Sequence, residues 1–81
     1  MKTNKQIAEE MHEEYERSLQ KEEELWNLSQ IHYARWVASG YKDDEAYAEY
    51  ENLINQFKET ESKTNIYARL AMKYAFTKED E

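Results

Sequence analysis

Ser39-Gly40-Tyr41-Lys42-Asp43-Asp44-Glu45 is the stretch that decides the fold of this chain. Gly40 is the single glycine in 81 residues, and the chain contains no proline. Glycine is favoured just past the end of a helix, and Asp43 suits the N-cap of a following helix. The stretch therefore predicts a turn between two long helices.

The residues before this turn predict one helix over about 4–39. Thr3 and Gln6 have the spacing of a capping box. Apolar side chains then recur at intervals of three, four or seven residues, as one helix face requires. These positions are Ala8, Met11, Tyr15, Leu19, Trp26, Tyr33 and Trp36. Glu22 and Ser29 fall on the same face and weaken it, and a second row (Leu25, Leu28 and His32) widens it.

The residues after the turn predict a second helix over about 43–77. Its apolar positions alternate between intervals of four and three, which is the coiled-coil period. These positions are Ala46, Tyr50, Leu53, Phe57, Thr60, Thr64, Tyr67, Ala71 and Tyr74. Residues 59–65 are polar, which leaves an alternative in which the helix breaks near 62–65 and Thr64 or Asn65 caps a third helix.

Two halves of similar length about Gly40 predict an all-α antiparallel hairpin, formed as a single domain over 1–81. Residues whose numbers sum to about 81 should then face each other. Trp26 should lie near Phe57, and Glu22 should face Thr60. A bare hairpin covers only one face of each helix, so we expect either a third helix that folds back or self-association, most simply as a twofold dimer that forms a four-helix bundle.

The charge limits the classes of partner. Acidic residues number 18 against 11 basic ones, which gives a net charge of −7. This balance argues against direct binding to nucleic acid or to an anionic membrane, and it favours a protein partner with a basic surface. The chain has no cysteine and no apolar run as long as a signal peptide or membrane span, so we expect a cytoplasmic protein.

The sequence predicts no catalytic residue, metal site or cofactor. Glu9 and His12 form one Glu-x-x-His motif, but helical di-iron sites need two such motifs. His32 cannot complete a second one, because the residue three positions before it is Ser29 and not glutamate. No phosphate-binding loop and no arrangement of nucleophile and base is present in the sequence. We therefore expect a protein that is not an enzyme.

A row of acidic residues on the first helix is the main candidate site. Its members are Glu9, Glu13, Glu16, Glu23 and Glu24. With Gln20 between Glu16 and Glu23, these positions point away from the apolar face and are three or four residues apart, so negative charges recur about every 5–6 Å and imitate a row of nucleic-acid phosphates. Tyr41, Asp43 and Asp44 form a second candidate group at the turn, with Arg35 as a neighbour of Tyr41. The alternative is that the glutamates only keep a helix face soluble.

Two hypotheses for function follow. The first is an inhibitor or regulator that docks its acidic helix on a basic, nucleic-acid-binding surface of another protein. Small acidic proteins of this kind are often phage or mobile-element products directed against host defence, and this comparison is one of composition alone. The second is an assembly module that acts through the coiled-coil-like repeat at 46–74.

Overall fold

A computed structural model, which describes residues 1–77, contains two α-helices. Helix α1 spans Asn4–Ala38 and helix α2 spans Asp44–Phe76. The helices pack against each other along their length, and no strand occurs among the described residues. The predicted all-α helical hairpin is therefore confirmed, with helix ends within one residue of the expected ones.

The start of α1 is fixed by the predicted capping box. The backbone N–H of Gln6 donates to the Thr3 hydroxyl at 3.1 Å, and the Gln6 side chain accepts from the backbone N–H of Thr3 at 2.9 Å. Each bond satisfies a backbone donor that has no partner within the helix.

The turn is a Schellman motif built on Gly40. Gly40 has a φ of 74° and Tyr41 a φ of 65°, so both residues lie in the left-handed region. The N–H of Tyr41 donates to the Trp36 carbonyl and the N–H of Gly40 to the Val37 carbonyl, both at 3.0 Å. The Tyr41 ring meets Trp36 edge-on at 4.9 Å, which adds the hydrophobic contact typical of this motif. Residues restricted to the right-handed region of φ could not form these two hydrogen bonds at the end of α1.

Ser39 connects the two helices across the turn. Its hydroxyl donates to the Trp36 carbonyl at 2.6 Å and accepts from the backbone N–H groups of Lys42 and Asp43 at 3.1 and 2.9 Å. The Asp43 carboxylate then accepts from the N–H of Ala46 at 3.1 Å and caps α2. The first turn of α2 therefore begins at a fixed angle to the last turn of α1.

Helix α2 is continuous through 62–65, so the predicted alternative of a break and a third helix is wrong. The polar residues of this segment bond back into the helix. The hydroxyls of Thr60, Ser62 and Thr64 donate to the carbonyls four residues earlier at 2.9, 3.2 and 2.9 Å. Since these hydroxyls find partners inside the helix, they do not need to cap a new one.

The buried stripe of α2 is the predicted one. All nine predicted positions are buried or half-buried, and Ala46 and Thr64 are the most enclosed. Because the stripe keeps a period of 3.5 residues, it stays against α1 for the whole length of the helix.

The buried stripe of α1 differs from the predicted one by one residue over much of its length. The buried or half-buried positions of this stripe are Ala8, Met11, Tyr15, Ser18, Glu22, Leu25, Ser29, His32 and Trp36. Leu19, Trp26 and Tyr33, predicted to lie at the centre of the face, flank it and stay exposed. The stripe of α2 carries the larger side chains (Tyr50, Leu53 and Phe57), so a small residue such as Ser29, at 0% exposure, fits opposite them.

Three ring contacts fix the register of the hairpin near the turn. Trp26 lies 5.6 Å from Phe57, Tyr33 lies 5.2 Å from Tyr50, and Trp36 lies 4.7 Å from Tyr47 between ring centroids. The predicted neighbour of Trp26 is therefore confirmed.

The hydrogen-bond partner of Glu22 on α2 is Thr64, one turn from the predicted neighbour Thr60. The Thr64 hydroxyl lies 2.9 Å from the Glu22 carboxylate. Thr64 is one turn beyond Thr60, and it lies deeper in the seam. Its position lets the half-buried carboxylate keep a hydrogen-bond donor from the opposite helix.

Candidate partner-binding surface

The acidic edge lies on the outside of α1. We use this name for Glu9, Glu13, Glu16, Glu23 and Glu24. Glu9, Glu16 and Glu23 are seven residues apart and all five side chains are exposed, as predicted. Since α1 is helical from Asn4 to Ala38, the carboxylates occupy a band about 22 Å long on one side of the helix, with a gap of about 10 Å between Glu16 and Glu23.

Neighbouring side chains on α1 contact several of these carboxylates. His12 Nε2 lies 3.1 Å from Glu16 Oε1, and Arg17 Nη2 lies 3.7 Å from Glu13 Oε2. Arg17 also pairs with Glu14. These side chains are exposed, and exposed ion pairs contribute little free energy. The carboxylates can therefore exchange these contacts for cations on another molecule at small cost.

The second candidate group, which we call the turn group (Tyr41, Asp43 and Asp44), is separate from the acidic edge. Glu24 and Tyr41 are about 25 Å apart along the helix direction, so one small partner surface cannot contact both groups without lying along α1. Tyr41 is 61% exposed, and its ring rests on Trp36. Asp44 is exposed in the first turn of α2.

Asp43 has a structural task at the turn. Its carboxylate caps α2 through the N–H of Ala46, and it lies 3.6 Å from Arg35 Nη2. Arg35 also lies 3.3 Å from His32 Nδ1. The predicted N-cap is therefore confirmed, and Asp43 and Arg35 together help to close the hairpin.

His12 contacts residues of its own helix. Besides the contact with Glu16, its ring lies 6.1 Å from that of Tyr15. Residues 1–77 contain no group of three or more histidine, cysteine, aspartate or glutamate side chains arranged to hold a metal ion. Over the same residues, neither helix is long and apolar enough to cross a membrane.

The two broad sides of the hairpin differ in chemistry, which the sequence analysis missed. The apolar side, as we call it, carries Leu19, Trp26 and Tyr33 from α1 and Tyr47, Ile54, Glu61 and Ala68 from α2, so Glu61 is the one charged residue in these rows. Positions within each row are seven residues apart, so each row stays on one side of the seam. This spacing is the signal in the sequence that could have identified the surface.

A groove continues the apolar side to the open end of the hairpin. It has a volume of about 900 Å³, and its wall includes His12 and Ala75, which extend the two apolar-side rows by seven residues. Its floor is apolar, and Lys5, Glu9 and Glu13 line its α1 rim; the apolar residues are Ala8, Ala71, Met72 and Phe76. Phe76 is 82% exposed. The apolar side therefore extends from the turn to the last described turn of α2.

The opposite side is mostly charged. Its rows carry Glu14, Lys21 and Arg35 from α1 and Glu49 and Lys63 from α2, together with Leu28 and Leu70. Arg35 and Glu49 line one small depression there, with His32, Glu45 and Ala48. Comparison of the chain with protein-family models, curated proteins and solved structures gives no significant match.

Proposed function

We propose that this protein is a non-catalytic inhibitor or regulator that binds a basic, nucleic-acid-binding surface of another protein. The observation that carries the proposal is the acidic edge, a band of five exposed carboxylates along one helix. Glu9, Glu13 and Glu16 are about 5–6 Å apart, which is close to the spacing of phosphates along a strand, and Glu23 and Glu24 continue the band about 10 Å farther on, so a groove that binds nucleic acid offers matching cations. A phage or mobile-element origin is part of this proposal.

The net charge of −7 supports the same mode of binding. Long-range attraction to a basic surface increases the association rate and makes it depend on ionic strength. The acidic edge is exposed beside the seam, so docking there leaves the contact between the helices intact, and Glu9 and Glu13 also border the groove at the open end.

The test begins with the immobilised protein and a cell lysate at low and high salt. A protein retained at low salt and released at high salt is purified, and its affinity is measured for three forms of the chain. Glu13→Lys with Glu16→Lys alters the acidic edge. Glu59→Lys with Glu61→Lys makes the same charge change on exposed positions of α2 and serves as the matched control.

We expect the α1 variant to lose at least tenfold more affinity than the α2 control, and nucleic acid to compete for the same partner. Circular dichroism should show the same helix content for all three forms. Equal losses for the two variants would mean that only net charge matters, and the proposed role of the acidic edge would then be wrong.

A further inference from the structure

The seam between the helices contains a polar block about halfway along the hairpin. We use this name for two consecutive seam positions on each helix, Ser18 and Glu22 of α1 and Thr60 and Thr64 of α2. The Thr64 hydroxyl bonds across the seam to Glu22 at 2.9 Å, whereas the Thr60 hydroxyl donates to the Gln56 carbonyl of its own helix. A hydrogen bond that water can replace contributes little net free energy. The polar block therefore holds the helices together more weakly than apolar packing would.

The part of the hairpin next to the turn, which we call the turn half, comprises residues 23–59. Trp26, Tyr33 and Trp36 each contact a ring of α2, with ring centroids 4.7 to 5.6 Å apart. Ser29 is polar and 0% exposed, but its hydroxyl donates to the Trp26 carbonyl at 2.6 Å and so has a partner within α1. Since aromatic rings bury more apolar area than most side chains, these contacts make the turn half the more stable part.

The part at the other end, which we call the open half, comprises residues 4–17 and 65–76, and its seam is less enclosed. Ala8 is 9% exposed, and the other seam residues are half-buried, namely Met11, Tyr15, Tyr67, Ala71 and Tyr74. Ala8, Ala71 and Tyr74 also line the groove of about 900 Å³. The groove therefore reaches the seam, and the side chains there lack packing partners on one side.

We propose that the two arms of the open half separate from each other as a unit, while the turn half stays paired. Folded proteins open in cooperative parts with different free energies, and a part with few buried apolar contacts opens more easily. The polar block is the boundary of the opening, because the large ring contacts between the helices begin on its turn side.

The acidic edge spans this boundary. Glu9, Glu13 and Glu16 lie in the open half, whereas Glu23 and Glu24 lie in the turn half. An open state removes the α2 wall of the groove from beside Glu9 and Glu13. The opening follows from the seam alone and does not rest on the proposed inhibitory role, so either proposal can fail without the other.

The opening is tested by native-state hydrogen exchange on the full chain, with individual amides followed by NMR. Amides inside the open half should share one protection factor, at least about tenfold below that of the turn half, with a step at the polar block. Fraying of the helix ends would instead give a gradual rise in protection from the ends toward the turn. A gradual rise, or equal protection in the two halves, would overturn the proposal.

A pair of double variants tests whether the polar block sets the boundary. Glu22→Leu with Thr64→Leu replaces the hydrogen bond across the seam by apolar contact. Glu23→Leu with Asn65→Leu makes the same charge change at exposed neighbouring positions and serves as the matched control. We expect the seam variant to raise protection of the open half about tenfold or more, and the control to leave the step within about threefold.

Circular dichroism shows whether each variant keeps its helices. If the seam variant does not fold, the single change Thr60→Leu replaces it, with the same expected direction. A step that the seam variant leaves unchanged, or that the control removes equally, would overturn the assignment of the boundary to the polar block.

Discussion

The Thr64 hydroxyl lies between two hydrogen-bond acceptors in the contact between the helices. It lies 2.9 Å from both the Glu22 carboxylate and the Thr60 carbonyl, and it is almost fully buried. A hydroxyl has one hydrogen to donate, so the two acceptors share it. An apolar residue here would strengthen packing, but it would leave the Glu22 carboxylate without this donor. The pair therefore favours one register over its neighbours.

Tyr47 provides a prediction about pH. A hydrogen bond from its hydroxyl to the Glu51 carboxylate, together with the negative charge of that group, raises the pKa of Tyr47 above its ordinary value of 10.0. The unfolded chain then loses this proton first. The resulting contribution to stability is constant below pH 10 and is lost as the pH rises through the folded pKa.

Ultraviolet titration should therefore show one of the seven tyrosines ionising later than the others. We expect Glu51→Gln to remove this late step. The control Glu49→Gln, two residues before Glu51, should keep it. Identical titration curves for the wild type and Glu51→Gln would contradict the assigned hydrogen bond.

At the scale of the element, both helices depend on side-chain caps at their N-termini. Thr3 with Gln6 begins α1, and Asp43 begins α2. Neither helix contains glycine or proline, so once begun it continues until Gly40 or the end of its apolar stripe. The lengths of the helices are therefore set by very few residues.

Asp43→Ala tests this dependence. Removal of the cap should lower the free energy of unfolding by about 1 kcal/mol, measured by urea denaturation at a fixed protein concentration. Asp43→Asn keeps an oxygen that can accept from Ala46 and loses only the exposed pair with Arg35, so we expect a loss of less than about 0.5 kcal/mol. Equal losses for the two variants would assign the effect to charge.

At the scale of the whole molecule, the hairpin is a thin rod. Its radius of gyration is 18.2 Å, whereas a compact domain of this length has about 12 Å. Three apolar residues, Ala8, Leu25 and Ala46, are buried among those described. A rod also elutes early from a gel-filtration column, so its mass should be measured by sedimentation or light scattering.

Much of this architecture could be predicted from the sequence because it depends on local signals. Gly40 and Asp43 mark the turn, and the 3.5-residue repeat marks the buried stripe of α2. The stripe of α1 was harder, since Leu25 and Trp26 are one residue apart and the sequence favours neither. The large side chains of α2 decide between them, which is a property of the pair of helices. Exposure of the acidic edge follows from periodicity, whereas its partner depends on chemistry outside the chain.

The Schellman turn also has a kinetic consequence. It holds Trp36 and Tyr47, which are close in the chain, whereas Glu22 and Thr64 are 42 residues apart. The entropy lost on closing a loop grows with loop length, so pairing next to Gly40 should come first and the hairpin should then zip toward its open end. Stopped-flow fluorescence should detect this order, with Trp36 in a Trp26→Phe variant changing before Trp26 in a Trp36→Phe variant. Coincident changes would indicate that the whole seam closes in one step.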